Sequence, residues 1–268
     1  MPLPNPIANA FDVFNHARLS SPILEDIWRQ AYGQDYAADA RPDGFYPLSV
    51  LERITTAGEQ FSTWSSGSVK SLLDIGCGHG MTGLYLAQSL EMKLFGIDVS
   101  SASIELAQQN AVERYMEVDA QFWVADARSI PELKDSSCVV VMCLDVLLYL
   151  PDKRDVFAEM HRILEPGGLF AFTTWEQAGF SERLGAQQVR DYRPLLEEAG
   201  FEIVTYDTVL NAKEQQDRVF EGLIGREDAL KQEVGRETAS MFVNMARSGR
   251  LESQGRRYVF GIARRKEA

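Results

Sequence analysis

Three glycines in five positions, Gly76, Gly78 and Gly80, follow directly on the apolar run "LLDI" (72–75). Glycine at this density marks a backbone that turns sharply or lets a ligand approach closely. Placed between a buried strand and a helix, the "GCGHG" turn also faces the unpaired N–H groups of that helix. Asp98 stands twenty positions after Gly78, in "FGIDVS", where it can accept hydrogen bonds from ribose hydroxyls. A helix cap is the alternative use of a polar residue at this point, and Ser100 or Ser101 can supply it equally well. A bound dinucleotide calls for G-x-G-x-x-G with a glycine at 81, but Met81 is there. Asp74, two residues before the first glycine, would repel a pyrophosphate and attract a cation. The chemistry indicated is the holding of a positively charged, ribose-bearing ligand.

Such residues need a sheet to position them, and the surrounding pattern alternates strands with helices. "VKSLLDIG", "KLFGID", "AQFWVAD", "CVVVMCL" and "GLFAFTTW" read as strands. "GMTGLYLAQSL", "SASIELAQQNAVERY" and "PDKRDVFAEMHRIL" read as helices, the second with Ile104, Ala107, Ala111 and Tyr115 on one face. Asp152 is placed to cap the third, and Pro166-Gly167-Gly168 stops it. A helix "RDYRPLLEEAG", a strand "FEIVTYDTV" and a last strand "RRYVFGIARR" follow. This alternation predicts an α/β fold, with a doubly wound, mostly parallel sheet covered on both faces. "STWSSGSVK" (62–70) is a Ser-rich linker in front of it.

On these motifs the chain resembles the class I S-adenosylmethionine-dependent methyltransferases. "LLDIGCGHG", "GIDVS", "VADARSIP", "VVMCLDVLLYLPD" and "RILEPGGLFAFTTW" look like that family's five ordered motifs. The likeness covers 66–210 plus the final strand, and is greatest to small-molecule enzymes of natural-product tailoring and ubiquinone biosynthesis. It implies a Rossmann-like, seven-stranded sheet in residues 66–268, with the last strand antiparallel. It also implies S-adenosylmethionine as cofactor, with S-adenosylhomocysteine as product. The cofactor residues it implies are Asp74, Gly76, Gly78 and Gly80 at the methionine part and Asp98 with Val99 at the ribose. Asp126 and Ala127 fall at the adenine, and Leu144 offers its backbone carbonyl to the ammonium. No resident metal is implied.

Methyl transfer needs a base only where the acceptor must lose a proton to react. Relatives that methylate hydroxyls often carry His in the stretch matching "LLYLPD", and Leu148 and Tyr149 stand there instead. His79 and His161 suit solvated surface roles, which leaves His16 as the histidine that could fold over the site. Tyr149, Glu176 and His16 are the candidate catalytic residues. Residues 1–65 form a helical lid by this reading, and Trp28, Tyr32, Tyr36, Tyr149 and Trp175 are its candidate acceptor contacts. A helical insertion over about 211–250 forms a second cover. Its apolar faces carry Val219, Phe220, Leu223 and Ile224, then Leu230, Val234, Met241, Phe242 and Met245. The expected acceptor is a small aromatic metabolite, methylated at carbon or nitrogen. The alternatives are O-methylation with His16 as base, or a catalytically silent cofactor-binding protein. Retention of Asp74, Asp98 and Asp126 disfavours the last.

Composition narrows the partners. Lys plus Arg total 27 against 39 Asp plus Glu, a net charge of −12, which disfavours a nucleic acid. The absence of the Asn- or Asp-Pro-Pro-Tyr/Phe stretch of nucleic-acid and protein amino-methylating enzymes points the same way. The longest apolar run, "CVVVMCLDVLLYLP", is too short and interrupted to span a membrane. Without a secretory signal pattern, and with three cysteines lacking metal-ligand spacing, the expectation is a cytoplasmic, reduced protein, monomer or homodimer.

Overall fold

The computed structural model describes residues 6–61, 70–117, 119–181, 184–252 and 255–267, so most of the Ser-rich linker lies outside it. The strands are β1 (Ser71–Ile75), β2 (Lys93–Asp98), β3 (Ala120–Val124), β4 (Cys138–Leu144) and β5 (Leu164–Glu176), then a hairpin of β6 (Gly179–Ser181) and β7 (Ala186–Gln188), then β8 (Phe201–Thr208) and β9 (Arg257–Arg265). Seven of them form one sheet in the order β3-β2-β1-β4-β5-β9-β8. Pairing is parallel from β3 through β5 and antiparallel on both sides of β9. β1 and β4 are buried along their whole length, as continuous apolar strands covered on both faces should be. The order reverses between β1 and β4, the place where doubly wound sheets take ligands in a crevice outside the carboxyl ends of their strands.

Nine helices among the described residues are needed to place the site; the short α9 (Glu227–Glu233) completes ten. One face of the sheet is covered by α3 (Leu48–Phe61), α4 (Met81–Leu90) and α5 (Ser101–Glu113), through Leu51, Ile54, Leu84 and Ile104. The other is covered by α6 (Lys153–Ile163) and α7 (Arg193–Glu198), through Phe157, Met160 and Leu196. α3 falls before position 65 but packs on the sheet rather than in a lid. A third core stands apart from the sheet. It joins α1 (Pro6–Ser20) and α2 (Pro22–Tyr32) to α8 (Ala212–Gly225) and α10 (Arg236–Glu252), with Phe14, Trp28, Tyr32, Val219, Phe220 and Phe242 inside. The N-terminal helices and the insertion, expected as two separate covers, thus share one core, here called the cap core.

Local signals explain the helix ends. Asp152 caps α6 by accepting from the Arg154 and Asp155 N–H groups, and Ser100 caps α5 through the Ser103 N–H. α5 stops at Glu113, so Tyr115 does not share its apolar face: it is 88% exposed at φ +57°. All three cysteines are buried and free. No helix among the described residues is long and apolar enough to cross a membrane.

Gly80 starts α4 at φ +78°, and a Cβ there would lie 2.8 Å from the Ala107 Cβ of α5. Gly80→Ala is expected to cost ~1–3 kcal/mol of stability, from backbone strain and the α4–α5 clash. Urea unfolding of the two proteins checks this; an unchanged midpoint and slope would show that α5 yields without cost.

Candidate functional site

The glycine turn is fixed by the end of the neighbouring strand. The Ile97 carbonyl of β2 accepts from both Gly76 N–H (2.8 Å) and Cys77 N–H (2.9 Å). One Asp98 oxygen accepts from Gly78 N–H at 3.0 Å, and the other from Ser100 N–H at 2.9 Å. These bonds hold Gly76, Gly78 and Gly80 at φ +67°, +53° and +78°. A Cβ on Gly76 would run into Val146, and one on Gly78 into the Asp43 carboxylate. Glycine is required here by close approach as well as by backbone angle.

Asp74 is 4% exposed near the first turn of α4, where a Cβ on Gly83 would sit 2.8 Å from its Oδ2. Burial pushes its carboxyl well above the usual range, and the charges of Asp98 and Asp43 push the same way. Burial also raises Asp98, against the pull of the Ser100 and Gly78 N–H donors. At the other end of the crevice, Val99 is 40% exposed and Ala127 is buried. Asp126 is exposed, and the Arg128 guanidinium grips both its oxygens at 2.6–3.1 Å. Those hydrogen bonds hold its carboxyl below the usual range. Leu144 ends β4, opposite Thr173 of β5.

Asp145, the next residue, is one the sequence reading missed. It sits at φ +60°, a left-handed angle that Asp tolerates better than most residues. Its Oδ1 accepts from the Tyr258 hydroxyl (2.7 Å) and the Thr173 hydroxyl (3.0 Å), and its Oδ2 accepts from Phe45 N–H (2.6 Å). Burial still pushes the Asp145 carboxyl upward against those three donors. Tyr32 lies within its field: burial first, then the Asp145 charge, raises the Tyr32 hydroxyl well above its ordinary value. Trp175 packs on Tyr258 with ring centroids 4.8 Å apart. Tyr149 meets Phe11 of α1 edge-on at 5.1 Å. An acidic residue directly after a wholly apolar strand was the signal available for Asp145.

Other expected residues lie elsewhere. His16 is exposed on the outer side of α1, whose inner side presents Asn15, bonded to Ser103, and Asp12, bonded to Ser100. Glu176 is buried, but its oxygens take Arg257 and the Tyr206 hydroxyl. Successive strand residues point to opposite faces, so Glu176 turns away from the side shared by Thr173, Trp175 and Asp145. Trp28 donates to the Gly44 carbonyl, and Tyr36 donates to Glu25 at 2.6 Å; both are buried in or beside the cap core. His79 is not solvated: it is 1% exposed and lies against Asp43. His161 is half-buried against Phe201, which it meets edge-on at 5.6 Å.

The arrangement suits a cation-bearing ligand with a ribose. Asp43, Asp74 and Asp98 crowd one glycine turn; beyond burial, the charges of Asp98 and Asp43 add to the cost of ionising Asp74, and that of Asp43 to the cost of ionising Asp98. A pyrophosphate would worsen that repulsion, whereas a cationic amino-acid moiety would relieve it.

Residues 73–172 match the family described as Methyltransferase domain. The 27-O-demethylrifamycin SV methyltransferase of Amycolatopsis mediterranei (strain S699) is 29% identical over 175 residues, covering 63% of this chain and 58% of that protein. The chain spans about three fifths of the length of the curated relatives it matches. Among solved structures, the (4+2)-cyclase SpnF aligns with a TM-score of 0.70 and 22% identity over 94% of both chains. The geranyl diphosphate C-methyltransferase of Streptomyces coelicolor A3(2), solved with Mg2+, geranyl diphosphate and S-adenosyl-L-homocysteine, aligns with a TM-score of 0.56 and 18% identity over 92% of this chain and 99% of that one. At these identities the structural likenesses establish the fold.

A carboxyl whose pKa is raised by folding contributes fully to stability below the ordinary carboxylate value, and that contribution is lost as pH rises toward the raised one. Asp74→Asn is therefore expected to raise Tm at pH 8 by ~2–4 °C, the shift from about 1 kcal/mol in a chain of this size. The gain should shrink as pH falls toward 4. Thermal melts across pH check it, and a lower Tm at pH 8 would mean that the Asp74 charge is compensated.

Proposed function

We propose that this chain, which belongs through residues 73–172 to the class I S-adenosylmethionine-dependent methyltransferases, methylates a small, planar metabolite at carbon or nitrogen. The observation that carries the cofactor reading is the Asp98 carboxylate clamped to Gly78 at the crevice beside β1, with Asp74 buried next to it. S-adenosylmethionine, when bound, supplies a methyl group on a sulfonium, which the acceptor's lone pair or π electrons displace from sulfur. What the protein contributes to such a displacement is positioning and exclusion of water. Asp98 holds the ribose, the glycine turn lets the methionine part lie close, and Asp74 faces the amino group. Half-buried Phe11 and Tyr149 offer aromatic faces on which a flat acceptor can stack, while Trp175 and Tyr258 are buried against each other behind Asp145. In this reading Asp145 orients the acceptor and takes the proton lost after the methyl group arrives.

Asp145 also supports a second reading, O-methylation, with this carboxylate in place of His16 as the base. Burial makes it more basic than an ordinary Asp, which suits removal of a hydroxyl proton. The rifamycin relative is named for methylation at oxygen.

Two measurements test the proposal. Asp98→Ala should weaken S-adenosylmethionine binding by ~1.5–3 kcal/mol, the range for hydrogen bonds to a charged group. Calorimetric titration reads it, and wild-type protein that binds NADH but no S-adenosylmethionine would overturn the assignment. Asp145→Asn separates the two acceptor readings, once an acceptor is found by the mass gain of one methylene in a metabolite pool. A fall in kcat of ~10²–10⁴, the worth of a general base, together with a methyl ether as product, would establish O-methylation. A fall under ~10-fold, with the methyl on carbon or nitrogen, fits a carboxylate that only orients.

A further inference from the structure

The strap Pro42–Tyr46 crosses the carboxyl ends of β1 and β4 and touches the site at three points. Phe45 N–H donates to Asp145, the Tyr46 hydroxyl meets Thr82 Oγ1 at 2.9 Å, and Asp43 lies on the glycine turn. Asp43 Oδ2 occupies the space beside Gly78 that a side chain would fill. Its Oδ1 lies against His79 Nε2, yet neither atom makes a well-formed hydrogen bond. His79 is 1% exposed and is held in place by its neighbours: Met81 N–H approaches its Nδ1 at 3.4 Å, and the Asn110 amide donates to its carbonyl at 2.8 Å. Asp43 thus reaches the turn with one carboxylate oxygen against the His79 ring and the other beside Gly78. The same turn already carries Asp74 and Asp98. A third carboxylate brought down on them raises the electrostatic cost of closing the strap unless a cation lies among the three.

We infer that Asp43 is a cofactor-binding residue carried by the strap: its carboxylate, with Asp74, takes the amino group of S-adenosylmethionine at the Gly78 turn. The inference rests on the cofactor reading above and adds to it a residue from outside the matched domain. A carboxylate is the right charge for the ammonium of the methionine moiety and the wrong one for its carboxylate. His79 then acts as a positioning residue, keeping Asp43 on the turn. The ligand's cation offsets the repulsion that the Asp43 carboxylate meets from Asp74 and Asp98 at this turn.

The test compares two ligands that share the adenosine part and differ in the amino-acid part. Calorimetry gives Kd for S-adenosylhomocysteine, which has the amino group, and for 5′-methylthioadenosine, which lacks it. Asp43→Asn is expected to weaken S-adenosylhomocysteine ~10-fold or more, the worth of a hydrogen bond to a charged group, and to leave 5′-methylthioadenosine within ~2-fold. Asp43→Glu, which keeps the charge, should restore most of the discrimination between the two. Equal weakening of both ligands in Asp43→Asn would overturn the inference, as it would place Asp43 at the ribose or in the packing of the strap alone. So would no weakening of either. Wild-type protein that bound neither ligand would instead overturn the cofactor reading on which the inference stands.

Discussion

The Asp98 carboxylate joins two strand ends, and much of the molecule depends on that junction. It accepts from Gly78 on the loop after β1 and from Ser100 at the start of α5. The first bond holds the glycine turn in left-handed angles that side chains rarely adopt. The second sets Ser100, whose hydroxyl caps α5 through Ser103. α5 in turn brings Ala107 against Gly80, so turn and helix pack only because glycine stands at 80. α1 reaches the same helix through the Asp12–Ser100 and Asn15–Ser103 contacts. The carboxylate that orders all this is itself kept from ionising freely by burial. Local order is obtained at an electrostatic cost, which a cationic ligand can offset.

That cost is concentrated rather than spread. Many exposed aspartates and glutamates pair with nearby Arg or Lys, as in Arg154–Glu198 and Arg193–Asp191. Asp74 and Asp98 have no such neighbour among the causes acting on their charge, and Asp145 is met only by neutral donors. Part of the surface's negative charge is thus offset pairwise, whereas Asp74, Asp98 and Asp145 have no Arg or Lys paired with them. Carboxylates placed this way destabilise the unliganded protein and favour whatever brings positive charge, the usual trade between stability and function.

The glycine turn and the carboxylates flanking it were the legible part. Gly76, Gly78, Gly80, Asp74 and Asp98 are recognisable because a turn after a buried strand restricts residue type and spacing together. The sheet was equally legible: β1, β2, β4 and β5 read as apolar runs, and their helices as 3.6-residue patterns. Asp43 and Asp145 were not. Each is an ordinary aspartate in sequence, and its meaning comes from contacts distant in the chain, Asp43 with Gly78 and His79, and Asp145 with Phe45 on one side and Tyr258 on the other. His16 and Glu176 drew attention by residue type, but helix phase turns the first to solvent and strand alternation turns the second to the opposite face. Tyr115 misled for a related reason. A periodic pattern continues on paper past the point where the α5 backbone has already turned at φ +57°.

The cap explains why so many aromatics precede the domain. Trp28 does not face an acceptor directly. Its indole N–H holds the Gly44 carbonyl, while its ring stacks on Phe45 and lies 4.1 Å from the Arg18 guanidinium. Phe45 meets Phe220 of α8 edge-on at 5.6 Å. The strap is thus gripped between α2 on one side and α8 on the other, two segments nearly two hundred residues apart in the chain. It bears on Gly78 through Asp43 and on Asp145 through Phe45. One short segment thus ties the core of α2 and α8 to both the glycine turn and Asp145, so packing in that core sets where the two contacts fall.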